Sequence, residues 1–445
     1  MRRLTGLTAL TLLGALSAVV YATAVPVAGW LGLEPLAVHA GVFATVFVLY
    51  LAAIPIARRG ARAAPGALAV VLGFGLLFRV LMLPTPVYLS SDLYRYLWDG
   101  RVQLAGVSPY RHAPAAPELA PLRDRDIHPR INRPGARTVY PPASQWLFAL
   151  AAVVTPGSIV GWRVMLLAVE AATVVLLLRW LRRLGVAETA VLVYVWSPLV
   201  VFEGVQAGHV DLALIPVVLL ALTWRQGGSS VRAGVALGLA ALMKLYPAVL
   251  VLAWRRPGDW RFPAALAATV AAGYLPYVAR HGAGALGFLP EYFGGPEDHN
   301  VGLRALVAFP LGLTAEPARG VVMASFFALM AGALLWIGRG CRPDGAGAWR
   351  STALAIFTYL LLVPTSMHPW YVLWAVPFLC AAPSRGWLYF SGAVTLSYVK
   401  YVVEPAPFPW WIWVGEYLPL YGLLAVDAWR SRTGRLAAPV ALPTA

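Results

Sequence analysis

The chain has 445 residues, of which 60% are hydrophobic and only 12% are charged, and its formal net charge at pH 7 is +16. Because roughly a quarter of the residues of a soluble domain are charged, this composition excludes a soluble globular protein and indicates an all-α polytopic membrane protein. The excess of arginine also suits a nucleic-acid-binding protein. However, no DNA- or RNA-binding motif is present, and arginines that anchor helix ends in the cytoplasm account for the charge.

The first apolar segments set the predicted orientation of the chain in the membrane. Apolar runs at about 4–24, 36–57 and 66–84 have the length of transmembrane helices, which need about 17–25 residues. Arginines beside span ends stay in the cytoplasm, so Arg2 and Arg58 place the N-terminus and the end of the second run inside the cell. The segment after the third run is therefore predicted to be extracytoplasmic.

Residues 85–139 form this first extracytoplasmic loop, and they carry an unusual density of charge. Between 83 and 140 the chain has five acidic residues and eight arginines, whereas charge is sparse elsewhere. The arginines are Arg95, Arg101, Arg111, Arg123, Arg125, Arg130, Arg133 and Arg137. Arginines normally concentrate in cytoplasmic loops, so their presence in an extracytoplasmic loop needs an explanation. Either the loop is long enough to escape this tendency, or the arginines hold an anionic ligand. We favour the second explanation, which makes this loop the predicted site of the chemistry.

An amphipathic helix is predicted at about 90–105, directly after the third span. Four polar residues share one of its faces, at spacings of three and four: Asp92, Arg95, Tyr96 and Asp99. Such a helix suits a position along the membrane interface. Asp92 is then either a functional carboxylate or part of an anchor helix in which it only pairs with Arg95.

The remaining apolar segments complete a single transmembrane domain over 1–445 with about 12 transmembrane helices. The segment 140–155 is short for a span and is predicted as a partial or re-entrant helix. Residues 231–254 are predicted as two half-helices that meet at Lys244, and 280–317 as an outer loop. The other predicted spans lie at about 160–178, 189–204, 210–224, 262–279, 318–338, 351–364, 370–382, 387–402 and 410–427.

In this topology the titratable residues collect on the outer side. All seven histidines fall there, and Lys244 and Lys400 lie near the outer ends or breaks of their helices. Because nothing in the assignment of the spans forces this placement, it supports an outward-facing active site.

Two polar groups interrupt the apolar helices. His209 and Asp211 lie where the chain re-enters the membrane, a place where a carboxylate is costly to bury and often functional. Alternatively, Asp211 is only the N-cap or a first-turn acid of a helix. Lys244 needs a counter-ion, and a phosphate suits it; alternatively, the lysine snorkels or pairs with Glu203 or Asp211.

A third group, Thr365–Tyr371, lies at an outer span edge. His368 beside Trp370 suits a sugar or phosphate pocket, because aromatic rings stack on the apolar faces of sugars. The alternative is an aromatic belt at the membrane interface.

Metal and cofactor motifs are absent from the sequence. The acidic residues are few and scattered, so no multi-carboxylate metal site is predicted. The chain has no P-loop and no dinucleotide-binding glycine motif, so no cofactor is predicted.

Six short blocks resemble those of bacterial polyprenyl-phosphate-mannose-dependent mannosyltransferases, which have the GT-C fold. The blocks are Ser91–Tyr96, Gly106–Tyr110, Tyr140–Pro142, Gly208–Asp211, Lys244–Pro247 and His368–Trp370. Their order and shared membrane side make the chain similar to the enzymes that elaborate phosphatidylinositol mannosides and lipomannan. The resemblance covers about residues 66–430.

The resemblance implies a metal-independent, inverting transfer of a sugar, with mannose expected, from a polyprenyl-phosphate donor to a lipid or glycan acceptor. Asp92 would be the general base for the acceptor hydroxyl. The leaving phosphate needs stabilisation of its charge rather than a proton. The residues assigned to substrate binding are Arg95, Arg101, Tyr140, His209, Asp211, Lys244, His368 and Trp370. Family members often have paired acids where Ser91 precedes Asp92 here, which argues further against a metal.

The sequence therefore predicts a multi-pass glycosyltransferase of the inner (cytoplasmic) membrane with an extracytoplasmic active site. Its predicted partners are the polyprenyl-phosphate sugar, the acceptor and membrane lipids, but no nucleic acid. The alternative is a transporter or flippase of a lipid-linked sugar. That alternative expects charged residues near mid-membrane on both sides, whereas the His and Lys residues lie on one side. A non-catalytic membrane scaffold is the third hypothesis.

Overall fold

The computed structural model describes residues 2–31, 35–60, 64–294, 300–315, 317–340, 344–363, 366–403 and 408–433. Every regular element in these ranges is a helix and none is a strand, which confirms the predicted all-α class. The outer loop predicted at 280–317 lies in part outside the described residues.

The α-helices of the described ranges differ widely in length. In chain order they are α1 (Arg2–Leu31), α2 (Pro35–Pro55), α3 (Ala67–Met82), α4 (Asp92–Leu104), α5 (Pro142–Val154), α6 (Ile159–Arg183), α7 (Leu192–Val195), α8 (Asp211–Gln226), α9 (Ser230–Met243), α10 (Leu250–Ala253), α11 (Arg261–His281), α12 (Leu289–Gly294), α13 (Leu303–Ala308), α14 (Ala318–Arg339), α15 (Gly345–Leu362), α16 (Arg385–Ala393), α17 (Lys400–Val403) and α18 (Trp410–Arg432).

Five helical segments in the described ranges are long and apolar enough to cross a bilayer. They are Gly6–Thr23, Leu36–Arg58, Ile159–Arg183, Arg261–Phe293 and Ala318–Arg339. A bent pair of helices, Glu188–Val195 and Val200–Gln206, makes a sixth if its two parts, which lie at 62° to each other, form one span. The chain is therefore a multi-pass membrane protein, whereas the count of twelve helices stays a prediction.

Three of the predicted spans are not continuous α-helices, and the first of them, 189–204, is the bent pair just described. Residues 370–382 contain two 3₁₀ turns, Pro369–Val372 and Val376–Cys380, and the segment 387–402 is divided by a third, Val394–Val399. A proline occupies the first or second position of each of the first two turns. Proline has no N–H and clashes with the preceding turn, so the start of a helical segment is its preferred position. Hydropathy alone does not reveal such breaks.

The chain divides into two compact units. The first comprises Met1–Pro86, Val174–Gln206 and Met367–Ala445, and the second comprises Val87–Thr173 and Ala207–Ser366.

In the first unit, a buried arginine joins α3 to α7. Arg79 is only 3% exposed, and its Nη1 donates hydrogen bonds to the carbonyl oxygens of Gly75 (2.9 Å) and Val195 (2.7 Å). The Tyr50 hydroxyl of α2 donates to the Val193 carbonyl at 2.8 Å. A buried cation is costly unless its N–H groups have acceptors, so the two bonds of Arg79 hold α3 against α7. The bond from Tyr50 joins α2 to the same helix.

In the second unit, glycines allow helices to approach each other closely. A Cβ added at Gly238 of α9 would lie 2.7 Å from Cβ of Thr269 in α11. A Cβ at Gly100 of α4 would collide with the carbonyl of Phe148 in α5. Small residues at such positions let helix backbones pack at short distance. α4 is therefore seated directly on α5, and this contact positions the residue with which α4 begins.

That first residue is Asp92. The backbone N–H of Asp92 donates to Oγ of Ser90 at 3.3 Å, and the N–H of Tyr94 donates to the carbonyl of Ser91 at 3.1 Å. These two bonds end the preceding loop and start the helix. The partial positive charge of a helix N-terminus favours a carboxylate in the first turn.

Candidate active site

The carboxylate of Asp92 is held from two sides by neutral donors. Nδ2 of Asn132 donates to Oδ1 at 2.6 Å, and the hydroxyl of Tyr140 donates to Oδ2 at 3.1 Å. Asp92 itself is half-buried. Each carboxylate oxygen has two lone pairs, so these two bonds orient the group and leave it able to accept a further hydrogen bond.

Tyr140 is fixed by its backbone and by the packing of its ring. Its carbonyl accepts a hydrogen bond from the Tyr110 hydroxyl at 2.8 Å, and its N–H donates to Oγ1 of Thr138 at 3.2 Å. Its ring meets the rings of Tyr96 and Phe148 edge-on, with centroids 5.0 and 5.5 Å apart. The sequence predicts that Tyr140 binds substrate, and the structure places its hydroxyl on Asp92.

Arg95 lies in an internal network. Its Nε forms an ion pair with Oδ1 of Asp99 at 2.8 Å, and its Nη1 donates to the carbonyl of Ala136 at 3.0 Å. The other oxygen of Asp99 accepts a hydrogen bond from Nε2 of Gln145 in α5 at 2.9 Å. Arg95 and Asp99 are both buried. Arg95 thus pairs with Asp99, and the predicted alternative in which it pairs with Asp92 is wrong. The role of Arg95 in substrate binding stays a prediction.

Arg101 connects α4 to the distal part of the loop. Its Nη1 forms an ion pair with Oδ2 of Asp124 at 2.5 Å and donates to the carbonyl of Leu122 at 3.1 Å. Oδ1 of Asp124 accepts the backbone N–H groups of Ile127 at 2.7 Å and His128 at 3.0 Å. Partial burial of Asp124 acts to raise its pKa, but the two N–H donors and Arg101 outweigh it and lower the pKa to about 2.

The second polar cluster of this unit is formed by Asp211, Lys244 and Tyr246. Nζ of Lys244 lies 2.9 Å from Oδ2 of Asp211, and the hydroxyl of Tyr246 donates to Oδ1 at 2.8 Å. Asp211 is fully buried, whereas the side chain of Lys244 is 15% exposed. Of the two partners that the sequence suggests for Lys244, Glu203 and Asp211, the structure shows an ion pair with Asp211.

Lys244 lies at a break in the helical structure. α9 ends at Met243, whose carbonyl accepts a hydrogen bond from Oγ of Ser144 at 2.7 Å, and a 3₁₀ turn begins at Tyr246. Nζ of Lys244 also lies 6.0 Å from the centroid of the Tyr140 ring. The Tyr140 side chain thus contacts Asp92 with its hydroxyl and approaches Lys244 with its ring face.

His209 is fully buried in the turn that precedes α8. This turn is held by Trp162, whose Nε1 donates to the carbonyl of Gly208 at 2.7 Å. Gly208 has a φ of 70°, and a Cβ at this position would lie 2.7 Å from Cδ1 of Leu93 in α4. The close approach and the left-handed backbone both require glycine, and together they bring the start of α8 against the start of α4.

His368 and Trp370 lie in the first unit. Their rings are stacked, with centroids 4.4 Å apart and an interplanar angle of 6°, and the Tyr371 ring stands edge-on to His368 at 5.3 Å. Trp370 is 6% exposed. Their role in substrate binding stays a prediction, as do those of His209 and Arg101.

Asn132 and Gln145 were not found from the sequence. Asn132 lies in an irregular loop, where no helical or strand period marks a functional position, and it meets Asp92 across 40 residues of chain. Gln145 lies in the apolar helix α5, where it is fully buried. The presence of a polar residue in an apolar segment was the one sequence signal that could have identified it.

The described residues contain no group of three or more His, Cys, Asp or Glu side chains that could hold a metal ion. Metal-independent chemistry stays a prediction.

Comparison with solved structures finds ArnT from Cupriavidus metallidurans bound to undecaprenyl phosphate. It is 14% identical, the alignment covers 84% of this chain and 73% of that chain, and the TM-score is 0.46. No curated protein matches the sequence.

Comparison with protein families gives one match, to the model described as Glycosyltransferase family 87, over residues 138–364. This range is slightly more than half of the chain. It contains Tyr140, Asp211 and Lys244, whereas Asp92 lies before it. The match confirms the prediction of a glycosyltransferase, and it does not specify the sugar. The chain belongs to glycosyltransferase family 87.

Proposed function

We propose that this protein transfers a sugar, with mannose expected, from a polyprenyl-phosphate donor to a hydroxyl group of a lipid or glycan acceptor. The proposal includes a GT-C fold with about 12 transmembrane helices and an active site at the outer face of the cytoplasmic membrane. One observation carries it. The Asp92 carboxylate is oriented by Asn132 and Tyr140 at the start of α4, and the same tyrosine ring approaches the Lys244 ammonium.

Asp92 is the proposed general base. The acceptor oxygen attacks the anomeric carbon of the donor sugar while its proton passes to the Asp92 carboxylate. The bond between the anomeric carbon and the phosphate oxygen breaks, and its electron pair leaves with the polyprenyl phosphate. Attack opposite to the leaving group inverts the configuration at this carbon. The proton on Asp92 is then released to water, so the products are the glycosylated acceptor and polyprenyl phosphate.

Lys244 is the proposed partner of the departing phosphate. An ammonium group has three N–H donors, so Lys244 can bind a phosphate oxygen while it keeps Asp211 as its counter-ion. Its side chain is 15% exposed, whereas that of Arg95 is 7% exposed and bound to Asp99. These contacts support Lys244 over Arg95 for this role. Stabilisation of the developing negative charge is the main requirement, because a phosphate leaves without protonation near neutral pH.

The remaining predicted contacts are part of the proposal. His209 and Arg101 lie in the same unit as Asp92 and are proposed to bind the donor. The His368 ring is stacked on the buried Trp370 ring, and we propose that a sugar ring stacks on the outer face of this imidazole. No metal or organic cofactor takes part in the proposed reaction.

The experiment is transfer of labelled sugar from a polyprenyl-phosphate sugar to a membrane-lipid acceptor by the purified protein in detergent or nanodiscs. Asp92→Asn keeps the shape of the side chain and removes the base, so turnover should fall by about 100-fold or more. Asp126→Asn is the matched control, because Asp126 is an exposed acid of the same loop. Retained turnover in Asp92→Asn would remove Asp92 from this role. Movement of the donor across liposomes without a glycosylated product would favour the transporter alternative.

A further inference from the structure

We infer that Asn132 is a positioning residue that fixes the orientation of the Asp92 carboxylate toward the acceptor hydroxyl. This inference rests on the proposed function, in which Asp92 is the general base. It is carried by the 2.6 Å hydrogen bond from Nδ2 of Asn132 to Oδ1 of Asp92, which closes a two-donor clamp with Tyr140.

The loop tip that carries Asn132 is a defined structure. The N–H of Ala136 donates to the carbonyl of Arg133 at 3.0 Å and closes a tight turn. The N–H of Ala115 donates to the carbonyl of Pro134 at 2.8 Å, and Nη1 of Arg95 binds the carbonyl of Ala136. These bonds tie the tip both to the loop and to α4, the helix that begins with Asp92.

The residue after Asn132 has an unusual backbone conformation. Arg133 has a φ of 48°, in the left-handed region that residues other than glycine rarely adopt. Such conformations persist where the surrounding structure determines them, and they concentrate at functional sites. Here the left-handed residue turns the chain directly after Asn132, so the Asn132 side chain is held at the start of α4.

A purely structural role does not explain this contact. The side chain of Asn132 is exposed, so its hydrogen bond to Asp92 contributes little to the stability of the folded chain. The same bond restricts the rotation of a carboxylate that has to meet an acceptor oxygen in one orientation. Misplacement of a reacting group by about 1 Å can cost about 100-fold in rate, so the contact matters chiefly for the reaction.

The neutral character of Asn132 is the second part of the argument. The two arginines nearest to it in sequence lie over aromatic rings: Arg130 is 5.6 Å from the centroid of Tyr94, and Arg133 is 5.8 Å from that of Phe288. Both donors that the structure gives to Asp92 are instead an amide and a phenol. A guanidinium bound to the carboxylate would weaken it as a base more than a neutral donor does. The loop thus orients the Asp92 carboxylate through an amide, while its neighbouring arginines lie over aromatic rings.

The test compares kcat and the acceptor KM of the wild type, Asn132→Ala and Asn132→Asp in the transfer assay. Asn132→Ala should lower kcat by about 10- to 100-fold and leave KM for the acceptor within about threefold. Asn132→Asp also removes the amide donor and places a second carboxylate beside Asp92, so its kcat should fall at least as far. Asn132→Gln retains an amide donor and should restore part of kcat.

Asp126→Ala is the control, because Asp126 is an exposed residue of the same loop with no role in the proposed reaction. An unchanged kcat in Asn132→Ala would overturn the inference while the proposed function stands. A lower acceptor KM with an undiminished kcat would also overturn it, because Asn132 would then only occupy the place of the acceptor hydroxyl. Absence of transfer by the wild type would instead contradict the proposed function itself, and the inference with it.

Discussion

The hydroxyl of Tyr140 donates a 3.1 Å hydrogen bond to Oδ2 of Asp92, although the two residues lie 48 positions apart in the chain. The bond joins the first residue of α4 to the residue two positions before α5, and the packing of α4 on α5 keeps the two in place. The ring of Tyr140 also approaches Lys244 at 6.0 Å. Tyr140 therefore connects the proposed base with the proposed phosphate-binding cation.

Tyr140→Phe tests this connection, because it removes the hydroxyl and keeps the ring against Tyr96 and Phe148. A hydrogen bond to a charged group is worth about 1.5–3 kcal/mol, so kcat should fall by about 10- to 100-fold. The measurement is the steady-state rate of sugar transfer. Tyr50→Phe is the matched control, since the Tyr50 hydroxyl is buried and binds the carbonyl of Val193 in the first unit. An undiminished kcat in Tyr140→Phe would show that Asp92 does not need this donor.

The ion pair between Lys244 and Asp211 predicts unequal effects of its two halves on stability. Lys244→Met deprives a fully buried carboxylate of its cation, and this should cost about 3 kcal/mol or more. Asp211→Asn leaves a lysine that is 15% exposed and reaches water, so the loss should be about 1–2 kcal/mol. The measurement is thermal unfolding of each purified variant in detergent.

The double variant Lys244→Met/Asp211→Asn completes this comparison. It removes both charges, so it should be more stable than Lys244→Met alone. The control is Arg182→Met, which breaks an exposed ion pair with Glu188 and should change the unfolding temperature little. If Lys244→Met and Asp211→Asn lost the same amount of stability, this would contradict the greater burial of Asp211.

The local structure around the proposed base follows from sequence patterns. The helix predicted at 90–105 is found at Asp92–Leu104, although Arg95, Tyr96 and Asp99 of its predicted polar face are buried. The interruption of the segment 231–254 lies at Lys244, because proline and a charged residue both disfavour a continuous apolar helix there. These features depend on neighbours within a few residues of each other.

Pairings between distant residues did not follow from sequence. The sequence suggested a pairing of Arg95 with Asp92, whereas the structure pairs Arg95 with Asp99. Gln145 also binds Asp99, and the carbonyl of Ala136 also binds Arg95. The bond between Asn132 and Asp92 depends on the fold of an irregular loop, for which no periodic pattern exists. Selection among such alternatives depends on tertiary packing, which a single sequence does not encode in any local pattern.

The low pKa of Asp124 predicts a loop whose stability depends on pH. Its pKa is about 2 in the folded chain and 3.8 in its ordinary state. A carboxylate with a lowered pKa stabilises the fold above its ordinary pKa, and this contribution is lost as the pH falls through the folded value. The contribution should therefore be complete above about pH 4 and disappear toward pH 2.

Limited proteolysis at pH 2 to 5 with an acid-stable protease measures this effect in the loop. The wild type should resist cleavage near residues 122–130 at pH 5 and lose this resistance near pH 2. Asp124→Asn lacks the charge that binds Arg101 and should be cleaved with little dependence on pH in this range. Asp126→Asn is the control and should behave as the wild type. A wild-type loop equally resistant at pH 2 and pH 5 would contradict the role of this ion pair.

The side of the membrane on which Asp92 lies decides whether a lipid-linked sugar at the outer face can reach it. Arginines anchor span ends in the cytoplasm, so Arg125 in the charged loop and Arg232 at the start of α9 are predicted on opposite sides. Both side chains are exposed, so a cysteine at either position can be labelled. In a background with Cys341→Ser and Cys380→Ser, a membrane-impermeant maleimide should label Arg125→Cys in intact spheroplasts. Arg232→Cys should be labelled only after the membrane is permeabilised. The opposite pattern would place Asp92 on the cytoplasmic side, where a donor in the outer leaflet does not reach it, and the proposed reaction would then need a donor that faces the cytoplasm.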